Sequence, residues 1–194
     1  MENSIAIQAN KEKIGTLLAY IGKNVLNLNL RKLIKLVYLI DERSILEKGY
    51  PLTWLDYYVW EKGPVAPEIY GIKDGGGIFF QFVKVEKNKE SDKYIITPNT
   101  HFNLEKGLIE FSQSQIDLIN SVLKENREVD ADTLTEITHK EGGVWATMVR
   151  NNNISFEKNP QTDIKINLVD RKSEKYQDYL EAYDSICFAA SLNN

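Results

Sequence analysis

Apolar residues recur at helical spacing through Ile14, Leu17, Leu18, Ile21 and Val25, which predicts an amphipathic helix with Asn10 as its candidate N-cap. A second helix is expected to open near Asn29, with Leu30, Leu33, Ile34, Val37, Tyr38 and Ile40. These cover so much of its circumference that it must lie between other elements. Gly49 followed by Tyr50-Pro51 stops it, because Gly accepts the left-handed conformation and Pro cannot continue the hydrogen-bond ladder.

From Trp54 to Trp60 the pattern turns aromatic and β-branched, which predicts a strand ended by Gly63-Pro64. Pro67 suits the first residue of a short helix, Glu68 to Lys73, terminated at Gly75-Gly76-Gly77. Ile78 to Glu86 and Lys93 to Thr97 read as an antiparallel hairpin whose wet face carries Lys84 and Glu86. Ser112 with Gln115 has the form of a capping box ahead of Ile116, Ile119, Val122 and Leu123, and Thr133 with Glu136 repeats the device. That helix should end at Gly142-Gly143, between His139 and Trp145. An Asn-rich stretch, Asn151 to Asn153, then leads to Ile164 to Leu168. A last helix from about Asp170 shows a stripe of Tyr176, Tyr179, Leu180, Tyr183 and Cys187. With no internal repeat and no long linker, residues 1–194 read as one α+β domain, mostly helical, with a small antiparallel sheet.

Composition narrows the function classes. The 194 residues are 42% hydrophobic and include 10 Tyr, 7 Phe and 3 Trp, enough for a real core. The lone Cys187 excludes an internal disulfide and any Cys cluster for zinc or iron-sulfur, and suits a reducing cytosol. The longest uncharged run, Tyr94 to Leu104, has 11 residues and no membrane anchor is expected. Met1-Glu2-Asn3-Ser4 lacks the basic and apolar parts of a secretory signal, so a cytoplasmic protein is expected.

Charge is unevenly spread. Lys11 to Lys48 holds eight basic against four acidic residues, whereas His101 to Glu141 holds nine acidic against four basic. Two solvated helix faces explain this simply; an acidic surface for a basic partner is the functional alternative. A net charge of −4 argues against nucleic acid as the main ligand, since backbone-dominated binding needs a concentrated positive face.

Catalytic signals are sparse. Cys187 lies on a helix face that looks buried, and His101 and His139, the only imidazoles, lack metal-ligand spacing. His139 with Glu141 is the one pair to name. Gly75-Gly76-Gly77 precedes a strand, not the helix N-terminus that a phosphate-cradling loop needs. No metal or cofactor is implied.

Three ordered segments resemble the Panacea domain of SocA-like antitoxins and of phage-associated proteins of the GepA type. Leu30-Arg31-Lys32-Leu33-Ile34-Lys35-Leu36-Val37-Tyr38-Leu39-Ile40 looks like its KLQKLLYxA-type helix, followed by Gly49-Tyr50-Pro51-Leu52. Trp60-Glu61-Lys62-Gly63-Pro64-Val65-Ala66-Pro67-Glu68-Ile69-Tyr70 resembles its W-x-x-G-P-V-x-P-x-L-Y block, with Ile69 for Leu. Leu134 to Trp145 looks like its L-S-x-x-x-H-x-E-x-P-W block, departing at Gly142-Gly143-Val144, where a Pro usually precedes the Trp. The resemblance spans about residues 11–150, and the C-terminal helix, about 170–190, is expected to pack on it.

The resemblance implies a non-enzymatic antitoxin, a cytoplasmic bacterial or prophage protein that binds a separately encoded toxin directly. A transcriptional regulator or protease adaptor on the same scaffold is the alternative, and a small hydrolase around His139 and Glu141 a third. Side chains alternate along a strand, so some aromatics between Trp54 and Trp60 should reach the surface. The expected toxin-binding surface comprises Trp54, Tyr57, Tyr58, Trp60, the Gly63-Pro64 turn, His139, Glu141 and Trp145.

Overall fold

The structure is a computed structural model that describes residues 4–169 and 172–192. Helix α1 (Ile5–Asn24) begins earlier than the Asn10 cap suggested: Asn10 is instead a kink inside it, with φ −128° and ψ 16°. The apolar stripe continues on both sides of that kink, burying Ala6 and Ile7 before it and Ile14, Leu17, Leu18 and Ile21 after it. Helix α2 (Leu30–Lys48) is capped by the Asn29 side chain, which accepts from the Lys32 amide. It stops at Gly49, whose φ of 88° is the left-handed conformation a glycine takes without strain.

As its pattern requires, α2 is buried nearly all round. It packs against α5 (Gln113–Asn126), α6 (Ala131–His139), strand β2 (Gly63–Val65) and α3 (Pro67–Tyr70). Leu33, Leu36, Val37 and Ile40 are fully enclosed, each worth about 1.5–3 kcal/mol of burial.

The aromatic segment is less regular than its composition suggests. Only Tyr58–Trp60 forms strand β1; Trp54 has φ 61°, which no strand allows. The cause is Asp41 of α2, wholly buried and acting as a tether. Its carboxylate accepts from the Thr53 amide at 2.8 Å, from the Thr53 hydroxyl, and from the Tyr57 hydroxyl at 2.8 Å. These bonds bend residues 52–57 onto the helix. Burial raises the Asp41 pKa while the hydrogen bonds hold it down.

Gly63-Pro64 does not end the sheet but begins β2, which pairs antiparallel with β1 in the register Tyr58↔Val65, Val59↔Pro64, Trp60↔Gly63. On the other side of β1 lies β5 (Gln161–Lys165), also antiparallel, giving the order β2-β1-β5. A separate hairpin joins β3 (Val83–Lys87) and β4 (Tyr94–Pro98), shorter than predicted because Gly77–Phe79 is a 3-10 turn. Lys84 and Glu86 are exposed there and pair at 2.6 Å. The fold is α+β.

Helix α5 has the complete capping box at Ser112 and Gln115. Helix α6 does not: its cap is Asp130, accepting from the Asp132 and Thr133 amides, and Thr133 lies within the first turn. A further helix, α7 (Val144–Asn151), follows Gly143 where a loop was expected. Helix α8 (Tyr176–Ser191) packs on α1, and its buried residues are Ile186 and Ala190, not the predicted tyrosine stripe. Tyr179 and Tyr183 lie against Trp54, with ring centroids at 5.6 and 5.9 Å. The predicted start at Asp170 lies outside the described residues.

The charge asymmetry has a structural origin. Basic α2 lies against acidic α5 and α6, with Arg31–Asp132 at 2.6 Å and Arg43–Glu125 at 2.9 Å. Two of the nine acidic residues, Asp132 and Glu125, therefore answer cations of α2.

Candidate functional site

Three segments far apart in sequence meet where the β1–β2 turn rests on α2. The turn residues Glu61 and Lys62 are exposed, while Gly63 and Pro64 behind them are buried. Gly63 has φ 104°, and a Cβ there would stand 2.3 Å from Lys35 Nζ and 2.8 Å from His139 Nε2. Both the backbone conformation and the space demand glycine. Lys35 and His139, 104 positions apart in sequence, thus crowd one point beneath the turn.

Trp145 closes the arrangement from behind. It stacks on His139 with ring planes 1° apart and centroids at 3.7 Å, and its indole N–H donates to the Trp60 carbonyl at 3.0 Å. Helix α7 sets its position: Gly143 is the cap and Val144 the first helical residue. Proline suits that first position because its missing N–H needs no partner there, so Val144 leaves the helix start intact.

The electrostatics of this pair are unusual. Lys35 is 1% exposed, and among the described residues its ammonium donates only to the Pro64 carbonyl, at 3.4 Å. No acidic side chain pairs with it among the described residues. Burial, aided by the positive charge of Arg31, pushes its pKa down to about 7. Burial, and then the charge of Lys35, lowers His139 to about 4 against the opposing effect of a hydrogen bond with the Lys62 backbone. His139 is therefore neutral at pH 7, and its Nε2 is buried without a hydrogen-bond partner.

Beside this pair opens a cleft of about 490 Å³. Its walls include Leu30, Ile34 and Val65 with the aromatic rings of Trp60, Tyr70 and Tyr94; Arg31, Lys35, Lys62 and Lys93 supply positive charge and Glu61 the negative. Trp60 and Tyr70 meet edge to face at 5.0 Å.

A model of the SocA-like antitoxins, Panacea domain, matches residues 33–146. The chain belongs to this family. No curated protein and no solved structure matches it. The Panacea match runs from within α2 to the start of α7, so it takes in Lys35, the Gly63-Pro64 turn, His139 and Trp145 together. It begins later than the resemblance read from about residue 11, and leaves α1, β5 and α8 outside.

Of the residues expected at a partner surface, Trp60, Gly63, Pro64, His139 and Trp145 come together here. Tyr57 is a core residue, 2% exposed, with its ring against Tyr38 and its hydroxyl on Asp41; it offers a partner nothing. Gly63, Pro64 and Trp145 are likewise buried supports. Trp54 lies apart, against α8. Tyr58 and Trp60 are half-buried, and Glu141 is exposed on the turn after α6. Lys35 was missed. Its signal was a single lysine inside the apolar run Leu33-Ile34-Lys35-Leu36-Val37, on a helix that pattern alone requires to be buried.

For the His139–Glu141 pair, the imidazole faces Lys35 and Gly63, while Glu141 is exposed. Among the described residues, no group of three or more His, Cys, Asp and Glu is placed to hold a metal ion. No described helix is long and apolar enough to cross a membrane.

Proposed function

We propose that this Panacea protein is an antitoxin that neutralises a separately encoded protein toxin by direct contact in the cytoplasm, without catalysing a reaction. The observation that supports this most is the family match over residues 33–146, spanning the site where the turn, α2 and α6 converge. The toxin-binding surface assigned here is the outer face of the β1–β2 hairpin with the neighbouring turn: Tyr58, Trp60 and Glu141, held from beneath by Gly63, Pro64, His139 and Trp145. Half-buried aromatics beside charged residues have the amphipathic character that protein interfaces favour.

The test is co-expression with the neighbouring gene, scored for growth rescue and for co-purification. Tyr58→Ala should keep the parental melting temperature yet weaken the complex by about 2 kcal/mol, the loss expected at an interface hot spot. Tyr57→Ala should instead unfold the protein or lower its stability by about 3–5 kcal/mol, through a core cavity and an unpaired Asp41. Rescue without any physical complex would refute direct neutralisation. Unchanged binding by Tyr58→Ala would remove this surface.

A further inference from the structure

The cleft beside Lys35 carries more cationic and aromatic character than an antitoxin contact on the outer hairpin uses. The geometry points to a binding site for a nucleoside monophosphate or a ligand of that class, a flat aromatic body carrying a phosphate dianion. This goes beyond the antitoxin reading and stands without it, because it concerns the isolated chain.

Size comes first. About 490 Å³ falls in the range of small-molecule sites, roughly 300–1,000 Å³, and the walls are mainly apolar with a few convergent polar groups, as such sites are. Trp60, Tyr70 and Tyr94 line it from three different elements and offer π-surfaces to a planar ring.

Charge selects the anion. Arg31 is already tied to Asp132, but Lys35, Lys62 and Lys93 make no ion pair among the described residues, and Glu61 is the one acid on the lining. Three free cations against one acid match a dianion, whereas a single carboxylate would answer only half the surplus. Lys35 is the decisive member. Its buried ammonium has one long hydrogen bond, to the Pro64 carbonyl, and so retains donors for a phosphate oxygen. An unpaired buried cation is expensive to keep, and an anion arriving in the cleft supplies the missing partner.

Binding should also take up a proton. The titratable and charged groups around Lys35 are Arg31 on its own helix, His139 from α6, neutral at pH 7, and Lys62 and Glu61 from the turn; desolvation and then the Arg31 charge disfavour its protonation in the empty cleft. A bound phosphate reverses that balance.

The experiment is isothermal titration calorimetry of the isolated full-length chain with adenosine 5′-monophosphate, inorganic phosphate, adenosine, and an N-acetyl-Asp-Phe amide as the carboxylate-bearing aromatic. Adenosine 5′-monophosphate should bind at least tenfold more tightly than each of the others. With Lys35 titrating near 7 in the free protein, its protonated fraction falls about fiftyfold from pH 7 to pH 9, and the affinity for the nucleotide should fall with it. Lys35→Met should lose at least tenfold in affinity together with this pH dependence. The Lys62→Gln/Lys93→Gln double variant, on the exposed rim, gives an independent reading and should lose at least fivefold. No binding of the nucleotide at pH 7 overturns the proposal. So does equal binding of inorganic phosphate or adenosine, which would leave out one half of the ligand, and so does equal binding of the carboxylate peptide, which would show a peptide subsite instead. Unchanged affinity in both variants would place any bound nucleotide elsewhere.

Discussion

Replacing Lys35 by Met should stabilise the protein at neutral pH, although it deletes a buried hydrogen bond. In the unfolded chain the lysine titrates at its ordinary 10.5, and in the fold at about 7. At about 1.4 kcal/mol per pKa unit, that depression corresponds to an unfavourable contribution of about 5 kcal/mol when the pH is near 7. Losing the 3.4 Å contact leaves the Pro64 carbonyl unpartnered and returns about 1–2 kcal/mol of that gain. Met is similar in length and flexible enough to fill the space. A net stabilisation of about 3 kcal/mol at pH 7 is expected. The sign with pH follows from proton counting: between 7 and 10.5 the unfolded state binds the proton and the folded state does not, so parental stability rises with pH. The advantage of Lys35→Met should therefore shrink by about 3 kcal/mol between pH 7 and pH 10. Urea unfolding of both proteins at the two pH values, in buffer free of phosphate and nucleotide, measures this directly. A variant less stable than the parent at pH 7, or an advantage of the same size at pH 10, would refute a buried, uncompensated lysine. A natural sequence that carries such a residue at the expense of stability is better explained by a site than by packing.

Two further outcomes follow from the same cluster. His139 should stay neutral down to about pH 4 by NMR of its ring protons, with stability lost as the pH falls from 6.5 towards that value because only the unfolded chain takes up the proton there. In Lys35→Met its pKa should rise, since the lysine charge is one cause of the depression, and an unmoved titration would separate the two residues. Gly63→Ala must adopt a positive φ and displace Lys35 Nζ and His139 Nε2, so a destabilisation of at least about 2 kcal/mol is expected in thermal melts. A melting temperature equal to the parent's would show that the turn relaxes freely.

Much of the scaffold was legible because the interactions that make it are local. The all-round apolar pattern of α2, its stop at Gly49, the capping box at Ser112 and the short helix after Pro67 each depend on residues within one or two turns of one another. The sequence by itself also determined that α2 is central, since no other position could bury Leu33, Leu36, Val37 and Ile40 together. Tertiary structure decided what local pattern could not. Aromatic residues from Trp54 onward have strand propensity, but Asp41, twelve residues before Thr53, bends the chain away from it. Strand β5 has little apolar signal of its own and exists because β1 offers it an edge about a hundred residues away. The acidic segment read from sequence as a solvated helix face or a surface for a basic partner, and only the fold shows that Asp132 and Glu125 in it face Arg31 and Arg43. The chemistry of Lys35 is the clearest case. Its identity is in the sequence, and so is the like charge of Arg31 one helical turn before it, but the larger cause of its depressed pKa is desolvation by the turn and α6 packed over it. That desolvation arises only when segments distant along the chain exclude water from the same small volume.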